Sequence, residues 1–224
     1  MRPDVKVEVY RVPFLLEPEY YFERKVGFKE GHYTRMTRKF GSVANFERVK
    51  VQQALVARGR QAGLLDEVYG GEDAEGGSWW ADEKLDNRVQ SETVTSHRAV
   101  AFVSKKYGCD LSETFHFALA FQHFGRAGEL GDKILLVKCF AQSVTADDGQ
   151  VQEFKDFLDS DKGVDGVVKT LEALDELGIH SIPQLVVHGR VIGGTTADLL
   201  AAVARVESGD HKGMSFYGTL TEGL

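Results

Sequence analysis

Gly178-Ile179-His180-Ser181-Ile182-Pro183-Gln184-Leu185-Val186-Val187-His188-Gly189-Arg190-Val191-Ile192-Gly193-Gly194 is the stretch that decides how this chain is read. Just upstream, Val164, Val167, Val168, Leu171 and Leu174 recur at helical spacing, and Gly178 supplies the left-handed residue at which helices stop. At Ile182 the period changes. The run Ile182-Pro183-Gln184-Leu185-Val186-Val187 is compact, apolar and β-branched, His188-Gly189 suits a tight turn, and Arg190-Val191-Ile192 returns as a second strand. Thr195 or Thr196 can then cap a last helix over 197–206. Proline at the first residue of a strand sacrifices no ladder hydrogen bond, because pairing has not begun there. The spacing therefore predicts a unit of helix, proline-led strand, turn, strand and helix.

Working outward, residues 5–11 (VKVEVYR) alternate apolar and polar side chains and read as a strand that Pro13 and Pro18 end. A helix is expected from about Phe28 to Phe40, closed by Gly41, and Ser42 can cap a second one running to about Gln61 with Gly63 as its stop. Residues 70–87 hold four glycines, six acids and one lysine, a loop composition in which Trp79 and Trp80 are out of character and suit either a lid or a fold-back onto the body. Three helices should follow. Thr95 or Ser96 caps the first, which stops at Gly108; Ser112 opens the second, with Phe117, Phe121 and Phe124 on one face; Asp132 caps the third, with Leu135, Leu136 and Cys139 together. A short amphipathic helix after Gly149 completes this middle region.

The chain has 224 residues, of which 42% are hydrophobic and 27% charged, enough for one domain with its own core and too apolar for a disordered chain. No apolar run reaches the about 20 residues that span a bilayer. The start, MRPDVKVEVYRV, lacks an apolar signal core, so a cytoplasmic or mitochondrial-matrix protein is expected. Cys109 and Cys139 form neither a CxxC pair nor a zinc cluster, and read as free buried thiols. His116 and His123 would need a third ligand to hold a metal.

The charge is segregated: from Arg24 to Arg60 the chain carries a net +8 against −7 overall, which leaves −15 for the remainder. Arg35, Arg38, Lys39 and Arg48, interleaved with Tyr33, Phe40 and Phe46, form a candidate partner face for RNA or an acidic protein. An amphipathic helix pair with solvated cations and inward aromatics fits the same residues.

The 178–194 run resembles the second half of a thioredoxin fold, in which a cis proline opens the third strand beside the redox cysteines. Val12-Pro13-Phe14-Leu15-Leu16-Glu17-Pro18 resembles the PF-L-x-P stretch of DsbA-like proteins of the FrnE type. Thr93-Val94-Thr95-Ser96-His97-Arg98 resembles their T-x-x-A-H-R helix start, with serine in place of alanine. The order and spacing of these motifs identify the chain as a suspected member of that family, whose relatives include hydroxychromene-carboxylate isomerases and kappa-class glutathione transferases. The resemblance implies an α/β, thioredoxin-like fold split by a large helical insertion: residues 1–27 and 164–209 in the thioredoxin-like domain, 28–163 in the insertion and 210–224 as a tail. The family's first strand and Cys-Pro-x-Cys helix have no counterpart here. In the family that strand lies centrally, and each buried amide its loss leaves unpaired costs about 1–3 kcal/mol, so residues 5–11 or a partner chain are expected to fill the slot.

The implied activity follows the same logic. Without a dithiol the chain is expected to be a redox-inactive binding or scaffold module rather than a protein-disulfide oxidoreductase, with an N-terminally truncated oxidoreductase and a glutathione-dependent isomerase or transferase as the other readings. In the family's manner, the backbone of Ile182 beside Pro183 would meet an extended peptide or glutathione by strand addition. Ser181-Ile182-Pro183-Gln184 through Gly194 is also similar to the glutaredoxin TVPQ…IGG run, so Ser181, Ile182, Pro183, Gly194, Thr195, Thr196 and Asp198 are the candidate contacts. Glutathione is the one small ligand implied, with a protein or thiol peptide as partner and no membrane.

Overall fold

The computed structural model describes residues 10–23, 28–49, 88–182, 184–187, 190–193 and 196–207. These residues are 66% helical and include two antiparallel two-stranded sheets, so the protein is of mixed α and β structure. The expected strand at 5–11 lies mostly outside them, and its last two residues, Tyr10 and Arg11, are not in a strand. The lid candidates Trp79 and Trp80 and the tail 210–224 also lie outside the described residues.

The first described elements form a small polar-aromatic layer. Helix α1 (Glu19–Phe22) is followed by strand β1 (Lys29–Gly31), helix α2 (His32–Phe40) and a helix α3 covering residues 43–49. Gly41 ends α2 with φ +78°, where a side chain would be strained. The Ser42 hydroxyl accepts from the Asn45 amide at 3.1 Å, the expected cap. The start differs from expectation: residues 29–31 are not helical but pair with strand β2 (Val89–Ser91), Glu30 opposite Gln90. The middle region thus contains a sheet as well as helices. Tyr33 and Phe40 both pack on buried Phe46, at ring distances of 5.2 and 6.3 Å, so these aromatics point inward.

The main core lies among helices α4 (Val94–Tyr107), α5 (Cys109–Ala120), α6 (Lys133–Val144) and α7 (Asp148–Asp159). Helix α4 packs on α5 and α6, α5 on α6, and α6 on α7. Their shared interior is Ala99, Val103, Phe115, Leu119, Leu136, Cys139, Phe140 and Phe154, with the Phe140 and Phe154 rings stacked at 4.1 Å. Burying aromatic surface of this kind dominates core energetics. Asp132 caps α6 as expected, accepting from the Ile134 amide at 2.9 Å, while α7 opens at Asp148, earlier than the expected start after Gly149, because Asp147 and Gln150 form a reciprocal capping box at 2.8 and 2.9 Å.

Three expectations for α4 and α5 need correction. The α4 cap is Glu92, whose carboxylate accepts from the Thr95 amide and hydroxyl, rather than Thr95 or Ser96. Helix α5 opens at Cys109, and Ser112 lies inside it, donating to the Val100 carbonyl of α4. The buried α5 face is Phe115 and Leu119 instead of Phe117, Phe121 and Phe124, with Phe117 39% exposed. The reason is a π turn, Phe121–Gly125, that follows α5 directly: its wider winding breaks the 3.6-residue period on which an i, i+4, i+7 stripe depends.

Arg98 joins the helices. It is 5% exposed, and its guanidinium donates to the carbonyls of Phe157, Ser160 and Lys162, the last at 2.7 Å. Those carbonyls belong to the end of α7 and the turn leading to helix α8 (Val164–Glu176), where backbone acceptors have no helical partner. The guanidinium also lies 5.1 Å from the centre of the Phe157 ring. Burial lowers its proton affinity, and Tyr21, Asp161 and Glu92 work against that. Gly163, at φ +80°, turns the chain beside it, 3.8 Å from the Arg98 Cγ to where a Cβ would stand. Replacing Arg98 with Met should cost about 3 kcal/mol, because the Ser160 and Lys162 carbonyls lose a charged donor and the Phe157 carbonyl keeps only those of Ser160; Lys should recover only part of this, as an ammonium has no planar fork. Urea unfolding measures it, and an unchanged midpoint in R98M would count against this role for the side chain.

Candidate functional site

Helix α8 hands over to the C-terminal unit through a glycine stop of the kind expected. The Gly178 amide donates to the Asp175 carbonyl and the Ile179 amide to the Leu174 carbonyl, both at 2.9 Å, with Gly178 at φ +69° and Ile179 buried against the helix end. Strands β3 (Gln184–Val187) and β4 (Arg190–Gly193) then pair antiparallel, Leu185 opposite Ile192 and Val186 opposite Val191. Val187 lies opposite Arg190, and the expected turn residues His188 and Gly189 lie outside the described residues. Helix α9 (Thr196–Glu207) packs on β4.

That register places the candidate residues. Gln184 lies opposite Gly193, so Ser181 and Ile182 leave the hairpin at the end where the chain enters α9. Both are exposed, Ile182 at 51%. Asp198 sits in the first turn of α9 and is partly buried, and Thr196 is the first residue of that helix. Pro183, Gly194 and Thr195 lie outside the described residues. Among the described residues each strand of this sheet has one hydrogen-bonded neighbour, the other, so its outer edges carry backbone donors and acceptors. Val191 and Leu200 add exposed apolar surface, at 40% and 64%.

The basic segment is organised differently from a free cationic face. Arg35 is 5% exposed and pairs with Glu17, so it does not belong to a partner face. Arg38 donates to Glu30 at 2.6 Å, and Glu30 also accepts from the Tyr20 hydroxyl. Burial works to raise the Glu30 proton affinity, but the hydrogen bonds of Arg38 and Tyr20 outweigh it and hold the carboxyl below its ordinary value. Burial, with Glu30 adding, pushes the Tyr20 hydroxyl up. Lys39 and Arg48 are exposed, Arg48 donating to the Asn45 side chain at 3.1 Å.

The chemistry open to the remaining groups is narrow. Cys139 lies in the core, its thiol pushed up to about 11 by burial against the small opposing effect of Lys138, and Cys109 is half-buried; both are free. Among the described residues no group of three His, Cys, Asp or Glu side chains is placed to hold a metal. His116 and His123 do not act together. His123 turns on the π turn to the Gly128 carbonyl at 2.8 Å, while His116 faces Arg11 and His97. The His97–His116 pair, which the sequence reading did not single out, is partly exposed: both rings are pushed down to about 4, chiefly by desolvation, with His116 opposing the charge of His97 and Arg11 that of His116. Its only signal in the sequence is the histidine of the Ser96-His97-Arg98 helix start.

No family model matches the chain, and neither a curated protein nor a solved structure matches it significantly. Among the described residues no helix is long and apolar enough to cross a membrane.

The thiols make a direct check. At neutral pH the native protein should give one thiol equivalent, Cys109, with a disulfide dye on the scale of minutes, and two in denaturant, since a group titrating near 11 holds few thiolates. Two fast equivalents in the native state would contradict the burial of Cys139.

Proposed function

We propose that the chain is a thioredoxin-related, DsbA-like module that binds an extended segment of a protein partner and performs no disulfide exchange. The observation that carries this is the C-terminal unit. A glycine-stopped helix leads through Ser181 and Ile182 into a tight hairpin and a final helix, the order of the second half of a thioredoxin fold, and its outer strand edges offer backbone groups for strand addition. The buried, high-titrating Cys139 and the separate Cys109 support the absence of dithiol chemistry. In this reading helices α4–α7, within the expected insertion 28–163, stand where the family has its helical insertion.

Arg98 also fits the family reading, since the histidine and arginine of the helix start become packing residues: His97 holds the backbone of Phe14, from the Pro13-Phe14-Leu15 stretch, and Arg98 caps α7. A glutathione-dependent reading keeps a specific support, the approach of Ser181, Ile182 and the start of α9 at one end of the hairpin.

The test has four arms. The protein should not accelerate insulin reduction by dithiothreitol; acceleration would overturn the reading in favour of an oxidoreductase. A panel of uncharged extended peptides, followed by anisotropy, should contain binders whose affinity falls about tenfold or more in I182E, through loss of apolar contact beside the strand edge. Millimolar glutathione should leave the backbone amide signals of Ser181, Ile182 and Asp198 in place; their displacement would favour the glutathione reading. Charge reversal at Lys39 and Arg48 should leave peptide binding unchanged, and a loss there would move the site to the basic segment.

A further inference from the structure

Helix α9 is apolar on two sides. On one it packs against β4, with Ala202 buried at 4% exposure. On the other, Ala197, Leu200, Ala201 and Ala204 are all exposed, Leu200 at 64%. These four positions follow i, i+3, i+4 and i+7 and so share one stripe, where a surface helix ordinarily presents charge. The charges of this helix stand along the border of the stripe instead: Asp198, partly buried in the first turn, and Arg205, exposed in the last, whose Nε donates to the Ala201 carbonyl at 3.4 Å.

Asp198 and Arg205 are seven residues apart, two helical turns, and therefore border the stripe on the same side. They also lie equally far, with opposite signs, from the point between Ala201 and Ala202. A twofold axis beside that point reverses the helix end for end and keeps each border on its own side, so Asp198 of one copy meets Arg205 of the other at both ends of the contact. The face is thus complementary in charge to itself. We propose that the protein self-associates through it: two copies of α9 pack antiparallel about Ala197, Leu200, Ala201 and Ala204, with a reciprocal Asp198–Arg205 pair at each end.

The side chains set the geometry. Alanines along the middle of the stripe let the two axes approach to about 8 Å, the short end of the range for packed helices. In the same register the two Leu200 side chains fall on the border opposite the charges, about 4.5 Å apart along the axis, so each covers the other. Removing that apolar surface from water supplies the attraction. The ion pairs, weak at an exposed rim, select the antiparallel register and a second copy over other helices. So small a face makes a weak dimer. The backbone edges of β3 and β4 take no part in it, so self-association and the peptide binding proposed above stand or fall separately.

Sedimentation equilibrium of the full chain should show reversible association from one copy to two between about 10 µM and about 1 mM. In L200E, which sets two carboxylates beside each other, the association constant should fall about tenfold or more. D198R and R205D, each of which brings like charges together, should each weaken it about fivefold or more. An equimolar mixture of D198R and R205D should recover it as a heterodimer, because one border is then wholly basic and the other wholly acidic; a simple loss of helix stability would not be reversed by mixing. A protein monomeric at the top of that range, association unchanged in L200E, or a mixture no tighter than its components would each overturn the proposal. Where a charge variant does not fold, the amide signals of residues 197–204 in the unmodified chain decide: they should shift with protein concentration while those of α6 stay in place, and concentration-independent signals would overturn the proposal.

Discussion

A guanidinium taken out of water without a carboxylate must be met by other acceptors, and Arg98 finds them in the carbonyls of Ser160 and Lys162, in the turn after α7, and of Phe157, which also accepts from the Ser160 amide and hydroxyl. One interaction thereby settles two needs: the charge is solvated by the protein, and the helix terminus is satisfied. Because Arg98 lies on α4 and the carbonyls on α7 and its exit, the contact fixes where α8 begins. The Phe157 ring under the guanidinium and Gly163 beside it leave the turn little freedom to shift.

Local chemistry was the readable part of this sequence. Gly41, Gly178, Asp132 and Ser42 end or cap helices where their side chains, or the lack of one, say they should, and the hairpin register follows from Leu185-Val186-Val187 and the His188-Gly189 dipeptide. The failures share a cause. The Phe117, Phe121 and Phe124 stripe assumed uninterrupted α-helical winding, and a π turn has no compositional mark that would reveal it. Residues 29–31 became a strand because Val89–Ser91 offers them a partner 58 to 62 positions along the chain, and no local window contains that information.

The site followed the same division. Where Ser181, Ile182 and the start of α9 converge is legible from strand spacing, since register is a local consequence of a two-residue turn. That Arg35 is buried against Glu17, and Arg38 turned onto Glu30, is not: a run of cations reads alike whether it faces solvent or acids brought beside it by the fold. His97 and Arg98 carry the plainest lesson. Their side chains are adjacent in sequence, yet one meets the backbone of Phe14 and the other the end of α7, so a two-residue motif ties two distant segments to one helix.

The account rests on the helical body being one cooperative unit pinned through Arg98, with the hairpin hung from it. Native-state hydrogen exchange in low denaturant, comparing the unmodified chain with R98M, addresses this most directly. The opening free energies of amides in α4 and α7 should fall by the same amount as the global stability, while those of Leu185 and Ile192 in the hairpin, already lower, should not move. Equal losses in the hairpin and the helices, or unaffected amides in α4 and α7, would contradict the account.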